Sequence, residues 1–346
     1  MKSSAKLRQV VFRGVEGIGL GGLVSRSHWR SQRLLILCYH GFSRADEHHW
    51  NPTLFMTPDV FRHRIQLIRA GGYQVLPLAE AVTSLLAGQL PPKSVSITVD
   101  DGGKDFITSA YPVIQELGIP VTVYVSTYYV FDRRPVFDVG VSYFLWKGGQ
   151  SRAKLPSQHW LAGSLDLSTK GAWQDASRKA YDFSRANRLS ADEKHSLLKE
   201  LARDLRLDFD AVMEDEFLHL MSSKDLTSLD PTLVDLQLHT HRHRVPKEDT
   251  LLQREIEDNR AALARIGFPQ SRLSHFCYPS GVYRHAQLGV LRKLGIRSAT
   301  TCVPGLAAVG DDPLLLPRFI DNALISEAGF KGWLSGIGAI LRNLRH

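Results

Sequence analysis

Seven short runs rich in Val, Ile, Leu, Tyr and Thr recur along the chain: LLILCYH (34–40), YQVLPL (73–78), SVSITVDD (94–101), VTVYVST (121–127), VDLQLHTH (234–241), HFCYPSG (275–281) and RSATTCV (297–303). Several are continuous rather than alternating, the pattern of strands covered on both faces. Between them lie stretches with apolar residues at helical spacing: PDVFRHRIQLIRAG, DFITSAYPVIQELGI, TLLQREIEDNRAALARIGF and HAQLGVLRKLGI. Strand-then-helix alternation predicts an α/β fold with a parallel sheet. About seven parallel strands are close to the eight of a full barrel, so the expected architecture is a distorted (β/α) barrel.

From about 129 to 230 the alternation stops. The segment is rich in Trp, Ser, Lys and Asp, and contains SADEKHSLLKELARDL, where Ser190 and Glu193 form an S-x-x-E capping box. A loop of this length does not stay structureless inside a compact domain, so it reads as a mostly helical insertion. The expected division is a basic N-terminal extension (1–33), a barrel (34–330) carrying the insertion at about 129–230, and a basic amphipathic tail (331–346). Trp146, Trp160, Trp173, Tyr128, Tyr129 and Tyr143 are candidates either for stacking on sugar rings or for the insertion's own core.

Composition narrows the class. Of 346 residues, 43% are hydrophobic and 23% charged, which excludes disordered and collagenous chains. No run of about 18 apolar residues offers a membrane span. Three cysteines, Cys38, Cys277 and Cys302, with no C-x-x-C pair, suit a reducing compartment and argue against a zinc ribbon. The net charge of +8 resides at the ends: residues 1–33 hold seven basic side chains against Glu16, and the tail adds Lys331, Arg342 and Arg345. A near-neutral body with basic ends speaks against a nucleic-acid enzyme and for contact of the termini with an anionic membrane surface. VEGIGLGGLV carries Glu16 and lacks a convincing cleavage site, so it does not read as a signal peptide, and the expected location is cytoplasmic with peripheral membrane contact. The tail GWLSGIGAILRNLRH carries Trp333, Leu334, Ile337, Ile340, Leu341 and Leu344 at helical spacing, which suits a membrane interface or the protein's own core equally.

Polar residues gather at the carboxyl ends of the expected strands, where α/β folds keep their chemistry. Tyr39-His40-Gly41 closes the first run, Asp100-Asp101-Gly102-Gly103 the third, His239-Thr240-His241-Arg242-His243 the fifth and Tyr278-Pro279-Ser280-Gly281 the sixth. Each cluster alone has an ordinary structural explanation: Asp-Asp-Gly is a common turn signal, and a histidine pair is usually solvated. Together they make two histidines and a carboxylate for a divalent metal, a second carboxylate to accept a proton, and a further histidine to donate one. That inventory suits metal-assisted hydrolysis of an amide or ester. On a strand, residues 239, 241 and 243 share one face, so His239/His241 also stands as a possible pair.

TVDDG (98–102), HTHRH (239–243) and FCYPSG (276–281) resemble the motifs of the polysaccharide deacetylases, the NodB-homology group of carbohydrate esterase family 4. CYHGF (38–42) resembles a motif of the circularly permuted branch that deacetylates poly-N-acetylglucosamine. The resemblance covers about residues 34–325, without most of the insertion. It implies that Asp101, His239 and His243 bind a divalent metal, most simply Zn²⁺, that Asp100 is the general base, and that His40 is the general acid. Tyr278, Ser280 and Gly281 would contact substrate, with a backbone N–H near Ser280–Gly281 holding the oxyanion. The same resemblance favours His239 and His243 over His241.

Two departures stand out. The Arg of the usual R-x-P-Y motif falls at about Cys277, so another group must orient Asp100, and Arg318 in LLLPRFID is the candidate. The usual late L-x-H acid motif is missing, as expected if His40 does that work. Three functions fit these residues: a metal-dependent de-N-acetylase of an N-acetylhexosamine in a glycan or lipid-linked sugar; a metal hydrolase of a non-carbohydrate amide; and a non-catalytic carbohydrate-binding relative. A cytoplasmic enzyme of the first kind would serve exopolysaccharide or surface-glycan synthesis.

Overall fold

In the computed structural model, which describes residues 20–343, every one of the seven apolar runs contains a strand. We number the strands of the main sheet β1 (Arg33–Tyr39), β2 (Gln74–Val75), β3 (Ser94–Val99), β4 (Val121–Val125), β5 (Val234–Leu238), β6 (His275–Cys277), β7 (Ser298–Thr300), β8 (Ala307–Ala308) and β9 (Phe319–Ile320). Their order is β7-β6-β5-β4-β3-β1-β8, with β2 also paired to β3 and β9 to β1. All pairings are parallel except that of β1 with β8. β3 and β4 are buried at every position, which is why their sequences run apolar without alternation. The second run yields only a two-residue strand: Pro77 lacks an amide for the ladder and becomes the N-cap of a helix over Leu78–Leu86.

The sheet curls, and residues 316–320 span its two edges. Leu316 bridges Thr300 at the end of β7, while Phe319 and Ile320 pair with Leu37 and Cys38 of β1. This short segment draws the edges together into a distorted (β/α) barrel, and it delivers Arg318 into the gap between β1 and β7. Helices pack outside through single apolar faces: Pro58–Ala70 buries Phe61, Ile65 and Ile68, and Asp249–Arg265 buries Leu252, Ile256 and Leu263.

The chain divides into two compact units, the barrel unit on either side of a second unit, Tyr129–Ser222. The second unit contains helices Phe137–Gln150, Lys170–Ala186, Ala191–Asp204 and Phe209–Glu214 and a small antiparallel pair, Lys154–Leu155 with Leu165–Asp166. The Ser190/Glu193 capping box is formed. Tyr143, Trp146 and Trp173 are buried, Tyr143 packing edge-on against Phe217 at 4.6 Å, so these three serve the unit's core. They are not available as sugar platforms.

The basic ends enter the barrel unit as far as they are described; Lys2, Lys6, Arg8, Arg13, Leu344 and Arg345 lie outside the described residues. The tail forms two helices, Glu327–Ser335 and Ile337–Asn343, hinged at Gly336. Leu334 and Ile337 are buried and Trp333 stacks on Phe319, so this stripe packs on the protein itself. Arg30 is fully buried, donating to the carbonyls of Leu334, Arg33 and Ser94, and burial lowers its pKa to about 10. Among the described residues no helix is long and apolar enough to cross a membrane.

At the amino-terminal ends of the strands, His275 is buried beside Ser298 Oγ, 2.7 Å from its Nδ1. Burial, helped by Arg297, pushes its pKa from 6.5 down to about 4. Between those values the unfolded chain takes up a proton that the folded state refuses. Stability therefore falls as pH drops through this window, by about 3 kcal/mol at pH 4. His275→Gln is expected to flatten the pH 4–6.5 limb of a urea-unfolding series; an unchanged slope would dismiss this source.

Candidate active site

The third strand ends at Val99, and the two residues after it leave the strand in different directions. Asp101 adopts a left-handed φ of 73° and Gly102 one of 83°, so adjacent carboxylates reach different partners instead of opposite faces of a sheet. Left-handed backbone at non-glycine residues recurs at Thr240, His243 and Ser280, at the ends of β5 and β6. For the β-branched Thr240 this is costly, and such strain persists only where surrounding structure imposes it. Here Asn259 Oδ1 accepts from the His239 N–H, and Glu255 accepts from the Arg242 N–H and Arg244 Nε.

Asp100 is buried and held by Arg318, whose Nη1 and Nη2 each donate to one carboxylate oxygen at 2.7 Å. Arg318 is also buried, and is fixed further by Thr98 Oγ1 at 3.1 Å and the Thr301 carbonyl at 3.0 Å. Cys277 lies at the site where the resemblance expects arginine. Its small side chain leaves room for the guanidinium, whose Nη2 is 3.1 Å from the sulfur. The thiols of Cys277 and Cys38 both donate toward Asp100 Oδ2, at 3.3 and 3.5 Å. Burial alone would raise the Asp100 pKa, but the Arg318 charge and its two hydrogen bonds outweigh it and hold the group well below the usual carboxylate range. Burial pushes both thiols up, so they stay protonated donors at neutral pH.

Asp101 faces the histidines. Its Oδ1 lies 3.1 Å from both His239 Nε2 and His243 Nε2. The Cys277 carbonyl, 2.9 Å from His239 Nδ1, can only accept, so Nδ1 carries the proton and Nε2 presents a lone pair to the carboxylate. Two acceptors at that separation need a proton or a cation between them. The three side-chain atoms lie within 4.8 Å of one another, as do those of Cys38, His40 and Asp100 and those of Asp100, His239 and Cys277; the first set, unlike the other two, pairs two imidazoles with one carboxylate, which suits a divalent ion with positions left open. His241 is elsewhere: its Nδ1 is 2.9 Å from Thr127 Oγ1 and its ring packs edge-on against Tyr128. The strand ends at Leu238 and Thr240 turns left-handed, which breaks the alternation that put His241 on the ligand face.

His40 follows β1, with Nε2 3.7 Å from Asp100 Oδ2 and a partly exposed side chain. Gly41 has no alternative: a Cβ there would lie 2.4 Å from the Phe55 ring. The Phe42 N–H donates to Asp105, a buried carboxylate whose pKa burial lifts to about 7, and this ties the His40 turn to the loop after β3. At the end of β6, the Ser280 N–H has no protein acceptor among the described residues. The Gly281 N–H is committed to the Tyr278 carbonyl at 2.8 Å, and the Tyr278 hydroxyl to the Leu314 carbonyl at 2.9 Å. Gly281 and the Tyr278 hydroxyl therefore do not face the site as free donors, which leaves the Ser280 amide.

Asn259 was not singled out in the sequence, although it supports His239 and, through Nδ2, the Val125 carbonyl and Thr127. Neither was Asp105, Glu255 or Thr98. Polar residues within a mainly apolar helix face, as Glu255 and Asn259 are among Leu252, Ile256 and Leu263, were the available signal.

No family model and no curated protein matches the chain. Solved structures do. A Streptococcus pyogenes deacetylase, PplD, solved with acetate, is 19% identical with a TM-score of 0.55, over 86% of this chain and 96% of that one. A de-N-acetylase from Aggregatibacter actinomycetemcomitans is 11% identical with a TM-score of 0.53, over 87% and 99%. A polysaccharide deacetylase from Bacillus cereus is 15% identical with a TM-score of 0.51, over 87% and 69%. At such identities the likeness is one of fold, and the fold is that of the polysaccharide deacetylases.

Proposed function

We propose that the protein is a hydrolase that removes the N-acetyl group from an N-acetylhexosamine in a glycan or glycan precursor, with the aid of a divalent ion, Zn²⁺ being the expected one. The observation that carries this reading is the convergence of Asp101, His239 and His243 on one point beside the Asp100–Arg318 pair. A bound divalent ion supplies Lewis-acid polarisation of the acetamide carbonyl and acidifies water. The chain's own residues do the rest. Asp100, kept ionised and aimed by Arg318, accepts the proton of the attacking water. The Ser280 N–H, which has no protein acceptor among the described residues, donates to the oxygen that becomes negative as the carbonyl is attacked. His40, reachable from solvent at the next strand end, gives a proton to the departing amine.

Metal content and acetate release together test this reading. Purified protein should carry about one divalent ion per chain and release acetate from chitooligosaccharides or poly-N-acetylglucosamine fragments, and chelation should abolish that release. His239→Ala and His243→Ala are expected to lose the ion, at a cost of at least tenfold to a hundredfold in affinity. His241→Ala should keep it; a metal-free His241→Ala protein would overturn the ligand assignment. Metal without acetate from any amino sugar would favour the non-carbohydrate amide, and no metal would favour a carbohydrate-binding role. Three unpaired thiols suit a reducing, cytoplasmic setting, where the substrate would be a nucleotide- or lipid-linked precursor or a growing chain.

A further inference from the structure

A groove of about 470 Å³ lies between helix Leu20–Ser25, the end of helix Pro58–Ala70 and helix Glu327–Ser335. Leu67, Leu334 and Ile337 give it an apolar wall. Arg26, Lys93 and Lys331 are also among its lining residues, and among the described residues no carboxylate is. Its volume is that of a small-molecule site. Lys93 immediately precedes β3 and Tyr73, also in the lining, precedes β2. The groove is thus at the amino-terminal ends of the strands, a strand length, roughly 20 Å, from Asp100 and the other groups at their carboxyl ends.

We infer that this groove takes an anionic phospholipid, its phosphate among Arg26, Lys93 and Lys331 and part of an acyl chain along Leu67, Leu334 and Ile337. Charge complementarity selects the occupant. Arg26 is exposed; Lys93 spends one N–H on the Gly71 carbonyl; Lys331 pairs with Glu327 at 2.7 Å, and Glu327 is shared with His63. The lining stays cationic even when Glu327 is counted. The chain's own leading segment, with Lys2, Lys6, Arg8 and Arg13 against Glu16, has the same sign as the groove and is the poorer fit. Leu23, 70% exposed on the adjoining helix, adds an apolar contact for the same bilayer. Docked in this way, the barrel turns its catalytic end away from the membrane. The inference does not depend on which amide the active site hydrolyses.

Co-sedimentation of the full-length protein with phosphatidylcholine vesicles, with and without phosphatidylglycerol, tests it. Each basic side chain at an anionic surface contributes roughly fivefold to partitioning, so Arg26→Gln/Lys331→Gln should weaken binding to the anionic vesicles about 25-fold. Lys170→Gln/Lys199→Gln removes the same charge from the other unit and should cost no more than about threefold. In Gly21→Leu the new Cβ comes within 3.9 Å of Ser335, another lining residue, so the side chain occupies the groove with every cation in place. It should weaken binding roughly tenfold, the equivalent of one to two displaced acyl methylenes. Equal losses in the two double variants, or full binding by Gly21→Leu, would reduce the effect to diffuse attraction and overturn the proposal. A change of oligomeric state in Arg26→Gln/Lys331→Gln would assign the groove to a second copy and overturn it as well. Acetate release from soluble fragments should be unchanged in all of these variants, which separates failure of the groove from failure of the active site.

Discussion

Arg318→Ala is expected to destabilise the protein by about 3–5 kcal/mol, because it leaves the Asp100 carboxylate buried without its cation. The pair is bidentate at 2.7 Å on both arms and neither side chain is open to solvent. Desolvation dominates such a site, so the loss exceeds anything a surface ion pair would show. Urea unfolding reads the effect directly. Arg318→Lys keeps the charge but not the planar fork, nor the separate hydrogen bonds to Thr98 and Thr301, and should fall between wild type and alanine. Arg318→Met combined with Asp100→Asn removes both charges and should regain much of the loss. An unchanged midpoint for Arg318→Ala would mean that the carboxylate finds another partner or a proton.

Asp100→Asn should lower acetate release by about a thousandfold, the usual worth of a positioned proton acceptor. Metal content should stay at wild-type level, since both Asp100 oxygens are engaged by Arg318 and the proposed ligands are Asp101, His239 and His243. The amide is nearly isosteric, but its NH₂ must face either an Arg318 arm or the solvent side. Some loss of stability accompanies the substitution and is measured in the same unfolding series. Substantial residual turnover would move the proton-accepting role to another group, such as His40, whose Nε2 lies 3.7 Å from Asp100 Oδ2.

Strand positions were legible because the runs are continuous and apolar, and the polar residues after them were legible because they interrupt that pattern abruptly. The side on which each polar residue emerges was not. Alternation on β5 predicts His239, His241 and His243 on one face; a left-handed Thr240 sends His241 to Thr127 instead. Arg318 was within reach of inference only as the replacement for an arginine that the resemblance expects near Cys277. What makes it fit is the closing segment 316–320, a two-edge pairing with no local signature. Asn259, Asp105 and Glu255 act through contacts 11 to 134 residues away in sequence, or with backbone atoms, and no spacing rule marks those.

The thiols beside Asp100 have a practical consequence. Cys38 and Cys277 are fully buried, and burial raises their pKa values, so neither reacts with an alkylating reagent while the barrel is closed. Cys302, the third, is only partly buried. With Cys302 replaced by serine, the slow labelling of the remaining pair becomes a clock for transient opening of the catalytic end. Its rate is the product of the opening equilibrium and the intrinsic reactivity of an exposed thiol. Any ion, glycan or lipid that slows this clock must bind the closed barrel in preference to the open one, whether or not it alters turnover.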